Sequence, residues 1–121
     1  MKKAIIFESE KSVLKYASLF GWDNNISVAC CGSNISMYQI QLLLDLGVEE
    51  IIVAFDRQFQ EKNDDEWKTL TDHLTKIHNR YKNYATISFI FDKSKITGYK
   101  DSPIDDGAEK FLQLFKERIL L

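Results

Sequence analysis

The sequence predicts an α/β fold with one four-stranded, mostly parallel sheet and helices on both of its faces, as in Rossmann-like proteins. Short apolar runs alternate with amphipathic segments along the whole chain. Two of these runs, IIVAF and ISFIF, are almost continuously apolar, as expected for central strands that helices cover on both faces. The 121 residues contain one proline and no linker-like stretch. Residues 1–121 are therefore predicted to form a single domain.

Each element follows from the spacing of its apolar residues. Strands are predicted at about residues 3–7, 26–31, 50–55 and 86–91, and helices at about residues 11–20, 36–46, 64–83 and 104–119. The third helix has the clearest period, because its apolar residues recur every three or four positions from Trp67 to Tyr84. Lys76 and Arg80 fall outside this stripe, and Asp64 is predicted to cap the start of the helix.

The last helix is predicted to begin after Ser102, with Pro103 in its first position, because serine caps helices and proline is favoured in the first turn. Its apolar stripe comprises Ala108, Phe111, Leu112, Phe115 and Ile119. Strands that alternate with helices pair in parallel through right-handed crossovers. The predicted order of elements is therefore β-α-β-α-β-α-β-α.

The composition excludes several classes of protein. Hydrophobic residues make up 45% of the chain and charged residues 28%, as in a folded domain and not in a disordered or collagen-like chain. No apolar run approaches the ~20 residues of a membrane span. Cys30 and Cys31 are adjacent in a predicted strand, where neighbouring side chains point in opposite directions, so we expect two buried thiols in a cytoplasmic protein. The net charge of -2 indicates that, in a protein acting on nucleic acid, another domain supplies most phosphate contacts.

Glu8 and Asp56 are the most informative residues, since each directly follows an apolar run that is predicted to be a buried strand. The carboxyl ends of parallel strands meet at one edge of a sheet, and this edge is where such folds bind ligands. Both acids are therefore predicted to share one site. The alternative is that acids in these positions only begin helices, where they interact favourably with the helix dipole.

Acids that converge from different loops repel one another, so a bound cation is expected between them. Oxygen ligands without histidine or cysteine partners favour Mg²⁺ or Mn²⁺ over zinc. His73 and His78 lie five residues apart on the third predicted helix, which is not the four-residue spacing of a helical zinc pair. They are expected to be surface or partly packed side chains.

Four segments occur in an order that resembles a known domain: AIIFESEKS, VACCGSNIS, EEIIVAFDRQ and KDSPIDDGAEKF. Together they resemble the Toprim domain of bacterial and phage DNA primases, and most of all the branch carried by phages of Gram-positive bacteria. The resemblance extends from about Ala4 to Phe115. The same fold is shared by topoisomerases, recombination-repair proteins and small nucleases. The resemblance implies a Toprim domain that is a fragment or part of a larger primase-like chain.

The resemblance also implies roles for individual residues. Glu8 matches the family's glutamate, which acts as a general acid or base or helps to hold the metal. Asp56 matches the first aspartate of the family's DxD metal motif, and Gln58 stands where the second aspartate belongs. An amide keeps an oxygen ligand but removes a negative charge, which weakens the hold on Mg²⁺. Three explanations are left open: Asp92 or Asp101 replaces the lost acid, the protein binds one metal while the nucleotide brings the other, or catalysis is reduced or lost.

Contacts to phosphate are predicted from residues that follow the strands or lie in the tail motif. They are Lys11, Gly32, Ser33, Arg57, Lys100 and Asp101. Gly32 matches a family glycine whose tight turn brings the backbone close to the site. For each lysine, an ordinary solvated side chain is the competing interpretation.

The function implied by the resemblance is Mg²⁺-dependent nucleotidyl transfer that makes RNA primers on a DNA template. The implied partners are nucleic acid and nucleoside triphosphates, contacted through neighbouring domains, and a replicative helicase. Two alternatives remain. A small Toprim nuclease would act on RNA or DNA with the same metal site. A receiver domain of two-component signalling would accept a phosphoryl group on Asp56, although Asp92 ends the fourth strand where receivers place serine or threonine, and no fifth strand is evident.

Overall fold

The computed structural model describes residues 2–21, 26–30, 35–57, 59–61, 64–92 and 96–120. Within these ranges it contains five strands and four helices. In chain order they are β1 (Lys3–Phe7), α1 (Glu10–Phe20), β2 (Ile26–Ala29), α2 (Met37–Asp45), β3 (Glu50–Ala54), α3 (Asp65–Tyr81), β4 (Thr86–Phe89), α4 (Ala108–Lys116) and β5 (Ile119–Leu120).

The strands form one sheet in the order β2-β1-β3-β4-β5. The first four strands in this order are parallel, with Phe7 of β1 level with Ala29 of β2 and with Ala54 of β3. The predicted α/β fold with a four-stranded parallel sheet is therefore confirmed. Because β1 lies between β2 and β3, the chain crosses over β1 when it passes from β2 through α2 to β3.

The core has two layers, one on each face of the sheet. On one face α2 and α3 cover Ile51 and Val53 of β3, and on the other face α1 and α4 cover Ile52 and Ala54. These four residues of β3 have no exposed surface. A strand buried on both faces has no polar side to expose, which explains its nearly continuous apolar sequence.

Helix α3 matches its predicted period at nearly every position. Asp64 caps it, because its carboxylate accepts a hydrogen bond from the backbone N–H of Trp67 at 2.7 Å. Leu70, Leu74, Ile77 and Tyr81 are buried, as the stripe requires. Tyr84 was expected to end this stripe, and this expectation is wrong: the helix ends at Tyr81, and Tyr84 is 53% exposed.

The last helix starts later than the sequence predicts. Residues 102–105 form a turn, in which the N–H of Asp105 donates to the carbonyl of Ser102 at 3.0 Å and the N–H of Ser102 donates to the Asp105 carboxylate at 2.9 Å. Gly107, with a φ of 103°, separates this turn from α4, which begins at Ala108. The predicted Ser102 cap is therefore wrong. The predicted stripe is also wrong at Leu112, which is 46% exposed, while Leu114 is buried.

The chain ends in a strand that the sequence does not predict. Ile119 belongs to β5, which pairs antiparallel with β4, and not to a helix that extends to residue 119. Arg118 precedes this strand, and its Nε lies 2.7 Å from Oε2 of the buried Glu50. A strand of two residues is too short to show a period in the sequence. It can be recognised only from its pairing with β4.

Within the described ranges, none of the helices combines the length and the apolar character that crossing a bilayer requires. Cys30 is buried, as predicted, and Cys31 lies outside the described residues. His73 stacks on Phe55 with 6.0 Å between the ring centroids, and His78 lies 6.4 Å from Phe89. Both histidines are partly packed, as expected.

Candidate functional site

The structure brings Glu8 and Asp56 together. Glu8 directly follows β1, and Asp56 follows β3 after one residue, Phe55. One carboxylate oxygen of Glu8 accepts a hydrogen bond from the backbone N–H of Asp56 at 2.9 Å. The end of β3 therefore orients the Glu8 side chain directly.

These two strand ends flank the point at which the order of strands in the sheet reverses. From β1 the chain moves to β2 on one side, and the next crossover returns it to β3 on the other side. Connections that leave in opposite directions open a crevice between the two strand ends, and open α/β sheets bind their ligands in such crevices. Glu8 and Asp56 thus occupy the position that the topology favours for a ligand.

A cleft of about 420 Å³ lies at this position. Its described lining consists of Glu8, Asp56, Asp65, Glu66, Thr69 and Lys100. We call it the acidic cleft, since four of these six residues are acids. The sequence analysis missed Asp65 and Glu66, which occupy the first turn of α3. The sequence contained the information needed to find them, because the helix that follows β3 must start at the same edge of the sheet as Asp56.

The surroundings of Asp56 change its acidity. Burial, and after it the negative charges of Glu8, Asp105 and Asp101, raise the pKa of its carboxyl from 3.8 to about 7. A nearby cation would reverse this effect by favouring the charged form. The electrostatics of the cleft therefore favour a positively charged ligand.

Lys100 reaches the cleft from a segment that pairs with the end of β3. The N–H of Lys100 donates to the carbonyl of Arg57 at 2.7 Å, and the N–H of Arg57 donates to the carbonyl of Asp101 at 2.9 Å. Lys100 has a φ of 65°, a left-handed conformation that is uncommon for residues other than glycine. Two backbone hydrogen bonds thus hold a strained lysine at the rim of the acidic cleft.

Two side chains connect the same segment to its surroundings. The hydroxyl of Tyr99 donates to a carboxylate oxygen of Glu66, and this bond raises the pKa of the tyrosine. At Gly98 an added Cβ would lie 2.5 Å from an Asp101 carboxylate oxygen, so a larger residue there would displace the Asp101 side chain. Residues 98–101 are therefore anchored to the first turn of α3 as well as to Arg57.

Asp92 and Asp101, the two candidates for a replacement acid, each hold a loop of their own. The carboxylate of Asp92 is buried and accepts hydrogen bonds from the N–H groups of Ile96 and Thr97 at 2.9 and 2.8 Å, and also from the Thr97 hydroxyl. Asp101 accepts one from the N–H of Gly98 at 3.1 Å. Neither lines the acidic cleft. Their roles as metal ligands stay predictions.

The other predicted phosphate contacts lie apart from the acidic cleft or outside the described residues. Lys11 is exposed in the first turn of α1 and does not line the cleft. The guanidinium of Arg57 lies 5.7 Å from the centre of the Phe59 ring, and its buried Nε has no hydrogen-bond partner among the described residues. Gly32, Ser33 and the metal-ligand candidate Gln58 lie outside the described ranges.

Within the described ranges, no three histidine, cysteine, aspartate or glutamate side chains form a group that could hold a metal. The predicted binding of Mg²⁺ or Mn²⁺ therefore depends on Glu8 and Asp56, and on residues beyond those described. The chemistry of this pair fits such an ion, because both are hard oxygen donors in a cleft whose described lining contains four acids and one lysine.

Sequence reasoning also missed the ion pair between Lys15 and Asp105. Their side chains lie 2.6 Å apart and join α1 to the turn before α4. Since Asp105 is one of the acids that raise the pKa of Asp56, this pair fixes part of the electrostatic surroundings of the cleft. The two residues are 90 positions apart, and no local pattern indicates the contact.

No protein-family model matches the chain, and no solved structure matches it. The chain is similar to the SPbeta prophage-derived uncharacterized protein YorJ of Bacillus subtilis (strain 168), with 35% identity over 125 aligned residues that cover 98% of this chain. The chain spans about a third of the length of that relative, since the match covers 33% of it. This similarity supports a relationship to a prophage protein and leaves the resemblance to the Toprim domain as a prediction.

Proposed function

We propose that this chain is the metal-dependent nucleotidyl-transfer domain of a DNA primase-like protein. One observation carries the proposal: Glu8 and Asp56 share one cleft at the switch point of the sheet, and the pKa of Asp56 is raised to about 7. A folded protein tolerates this concentration of acids when a cation neutralises it. The motifs that resemble primase Toprim domains include both residues.

Glu8 and Asp56 would hold a Mg²⁺ or Mn²⁺ ion through their carboxylate oxygens. When bound, the cation would neutralise charge that develops on the phosphoryl oxygens during nucleotidyl transfer. Glu8 is the candidate general base for the attacking 3′-hydroxyl, since its carboxylate is oriented by the Asp56 N–H. Lys100 supplies a positive charge at the rim of the same cleft, in reach of an anionic nucleotide.

A metal-binding titration tests the shared site. We expect isothermal titration calorimetry with Mn²⁺ to show binding to the wild-type chain and a loss of at least roughly tenfold in affinity in Glu8→Gln and in Asp56→Asn, because each removes one anionic ligand. Glu109→Gln, an exposed acid of α4 outside the cleft, is the matched control and should bind as the wild type does. Equal affinity in all four proteins would contradict the shared site.

An activity assay then separates primase from its alternatives. The chain is incubated with Mn²⁺, labelled ribonucleoside triphosphates and single-stranded DNA, and the products are resolved by gel. New dinucleotides or longer primers that depend on Glu8 support the proposal. Shortened DNA or RNA without extension would instead identify a nuclease that uses the same acids.

A phosphoryl-transfer assay tests the receiver alternative. Strand β5 runs antiparallel to β4, whereas the related doubly wound order ends in a parallel strand, so the fold gives this alternative little support. We expect no mass increase after incubation with acetyl phosphate and Mg²⁺. A phosphoryl group on Asp56 would overturn the primase proposal.

A further inference from the structure

A second cleft, of about 440 Å³, lies between the start of α2 and the later part of α3. Its floor includes the buried residues Ile35, Ile77 and Tyr81. His73, Lys76 and Arg80 line it from α3. We call this cleft the basic groove, since none of its described lining residues is acidic. Its size is close to that of the acidic cleft, and its charge is opposite.

Fixed contacts form the walls of the basic groove. The hydroxyl of Tyr81 donates to the carbonyl of Ile35 at 2.6 Å, which joins the end of α3 to the residues before α2. Ser36 and Gln39 form a reciprocal capping box at the start of α2. These contacts fix the backbone walls of the groove, so the cost of ordering on binding would fall mainly on its exposed lysine and arginine side chains.

Its positive charge is not neutralised within the described residues. Lys76 and Arg80 are exposed, and neither forms an ion pair with a described carboxylate. The guanidinium of Arg80 lies 5.3 Å from the centre of the Tyr81 ring, which also lines the groove. The two cations are four positions apart in the sequence, which places them about 6 Å apart along the helix axis.

We propose that the basic groove binds the phosphodiester backbone of a single-stranded nucleic acid. Two exposed cations one turn apart can each contact a different phosphate of one strand, whereas a compact anion would be held by groups that converge on one point. The apolar floor beside them suits the sugars and bases of such a strand.

Helix α3 relates the groove to the acidic cleft. Its first turn contributes Asp65 and Glu66 to the acidic cleft, and its later turns contribute Lys76 and Arg80 to the basic groove. Ten residues separate Glu66 from Lys76, or about 15 Å along the axis. A strand that lies along α3 would reach both, so the groove would hold the template or primer, an assignment that rests on the proposed function.

Fluorescence anisotropy with a labelled oligothymidylate of about twelve nucleotides tests the proposal, in low salt and without divalent metal. The variant Lys76→Ala/Arg80→Ala should bind at least roughly fivefold more weakly than the wild type. The slope of log affinity against log salt should fall in magnitude by about 1.4, or about 0.7 for each phosphate that the variant no longer neutralises. Lys68→Ala/Lys110→Ala removes the same charge from exposed positions outside the groove and should keep both values near those of the wild type.

A measurement on the unmodified protein complements the variants. In nuclear magnetic resonance spectra, addition of the oligonucleotide should shift the backbone amide signals of Ser36, Met37 and Ile77, which line the groove. Shifts confined to other parts of the protein, no saturable binding by the wild type, or equal weakening in the two double variants would each overturn the proposal. So would inorganic triphosphate that produces the same shifts at an equal or lower concentration than the oligonucleotide.

Failure of this inference can be distinguished from failure of the proposed function. Glu8→Gln and Asp56→Asn should bind the oligonucleotide at least as tightly as the wild type in metal-free buffer, because neither residue lines the groove and neither substitution removes a positive charge. Lys76→Ala/Arg80→Ala should keep the Mn²⁺ affinity of the wild type, because neither residue lines the acidic cleft. Each site can therefore lose its ligand while the other retains its own.

Discussion

Asp56 makes the folded protein sensitive to pH in the direction opposite to that of most aspartates. Burial, and then the acids around it, raise its pKa from 3.8 to about 7, so the folded chain binds a proton between these values that the unfolded chain has released. The contribution of Asp56 to stability is therefore present below about pH 4 and is lost as the pH rises toward 7. At neutral pH the charged carboxylate costs stability unless a cation compensates it.

We predict that Asp56→Asn stabilises the metal-free protein at pH 8 by about 1–2 kcal/mol, a value reduced for the partial solvent screening of this half-buried group. At pH 4 the difference between variant and wild type should be close to zero. Urea unfolding of the variant and the wild type at both pH values measures this difference in stability. A variant that is less stable than the wild type at pH 8 would contradict the electrostatic cost assigned to Asp56.

At the level of elements, one hydroxyl adds a hydrogen bond to the apolar contact between α3 and the segment before α2. Tyr81 is 1% exposed, and its hydrogen bond to the Ile35 carbonyl satisfies a buried acceptor that the helix itself does not reach. Such a bond contributes more to stability than an exposed one, because its loss leaves the acceptor without a partner in an apolar environment.

We predict that Tyr81→Phe lowers the free energy of unfolding by about 1–2 kcal/mol. Tyr84→Phe removes a hydroxyl from a residue that is 53% exposed and should change it by less than about 0.5 kcal/mol. Chemical denaturation monitored by circular dichroism compares the two variants. Equal effects would show that the bond to Ile35 is not the source of the loss.

Local patterns explain why most elements were predictable. Short apolar runs identified all four parallel strands, and apolar residues spaced three to four positions apart identified the positions of α1, α2 and α3. The start of α4 was not predictable in this way, because the same Ser-Pro sequence that favours a helix start also favours a turn, and Asp105 stabilises the turn. Gly107 then prevents the helix from extending back through that turn.

The candidate site was predictable to the extent that it depends on strand ends. Glu8 and Asp56 follow buried strands, so the topology alone brought them together. The loop held by Asp92 and the ion pair of Lys15 with Asp105 depend on how separate loops fold against each other. Those contacts leave no periodic signal, and they engage Asp92 and Asp105, which do not line the acidic cleft.

On the scale of the whole molecule, an ion pair between the buried Glu50 and the partly exposed Arg118 joins the start of β3 to the residue that precedes β5. Burial tends to raise the pKa of Glu50, but hydrogen bonds from Arg118 and Ser88 outweigh it and hold that pKa below its usual range. Glu50 is 2% exposed and lies 68 positions from Arg118. The pair thus connects the central strand β3 to the segment that precedes β5.

We predict that Arg118→Ala lowers the free energy of unfolding by about 3 kcal/mol, because it leaves the charge of Glu50 buried without its partner. Lys116→Ala, at an exposed position two residues earlier, should change it by less than about 0.5 kcal/mol. The double variant Glu50→Gln/Arg118→Ala should recover part of the loss. Thermal unfolding of the wild type and the three variants measures these values, and a double variant that is no more stable than Arg118→Ala would contradict a coupled pair.

Helix α3 determines the distance between the acidic cleft and the basic groove. Its 17 residues extend without interruption from the acids of one cleft to the cations of the other, so no loop can adjust the spacing between the two. Inserting one turn into its middle would move Arg80 by about 5 Å relative to Glu66 while leaving both faces in nearly the same orientation. In the proposed arrangement, the length of α3 would therefore set the number of nucleotides between the part of a strand bound in the basic groove and the end that reacts in the acidic cleft.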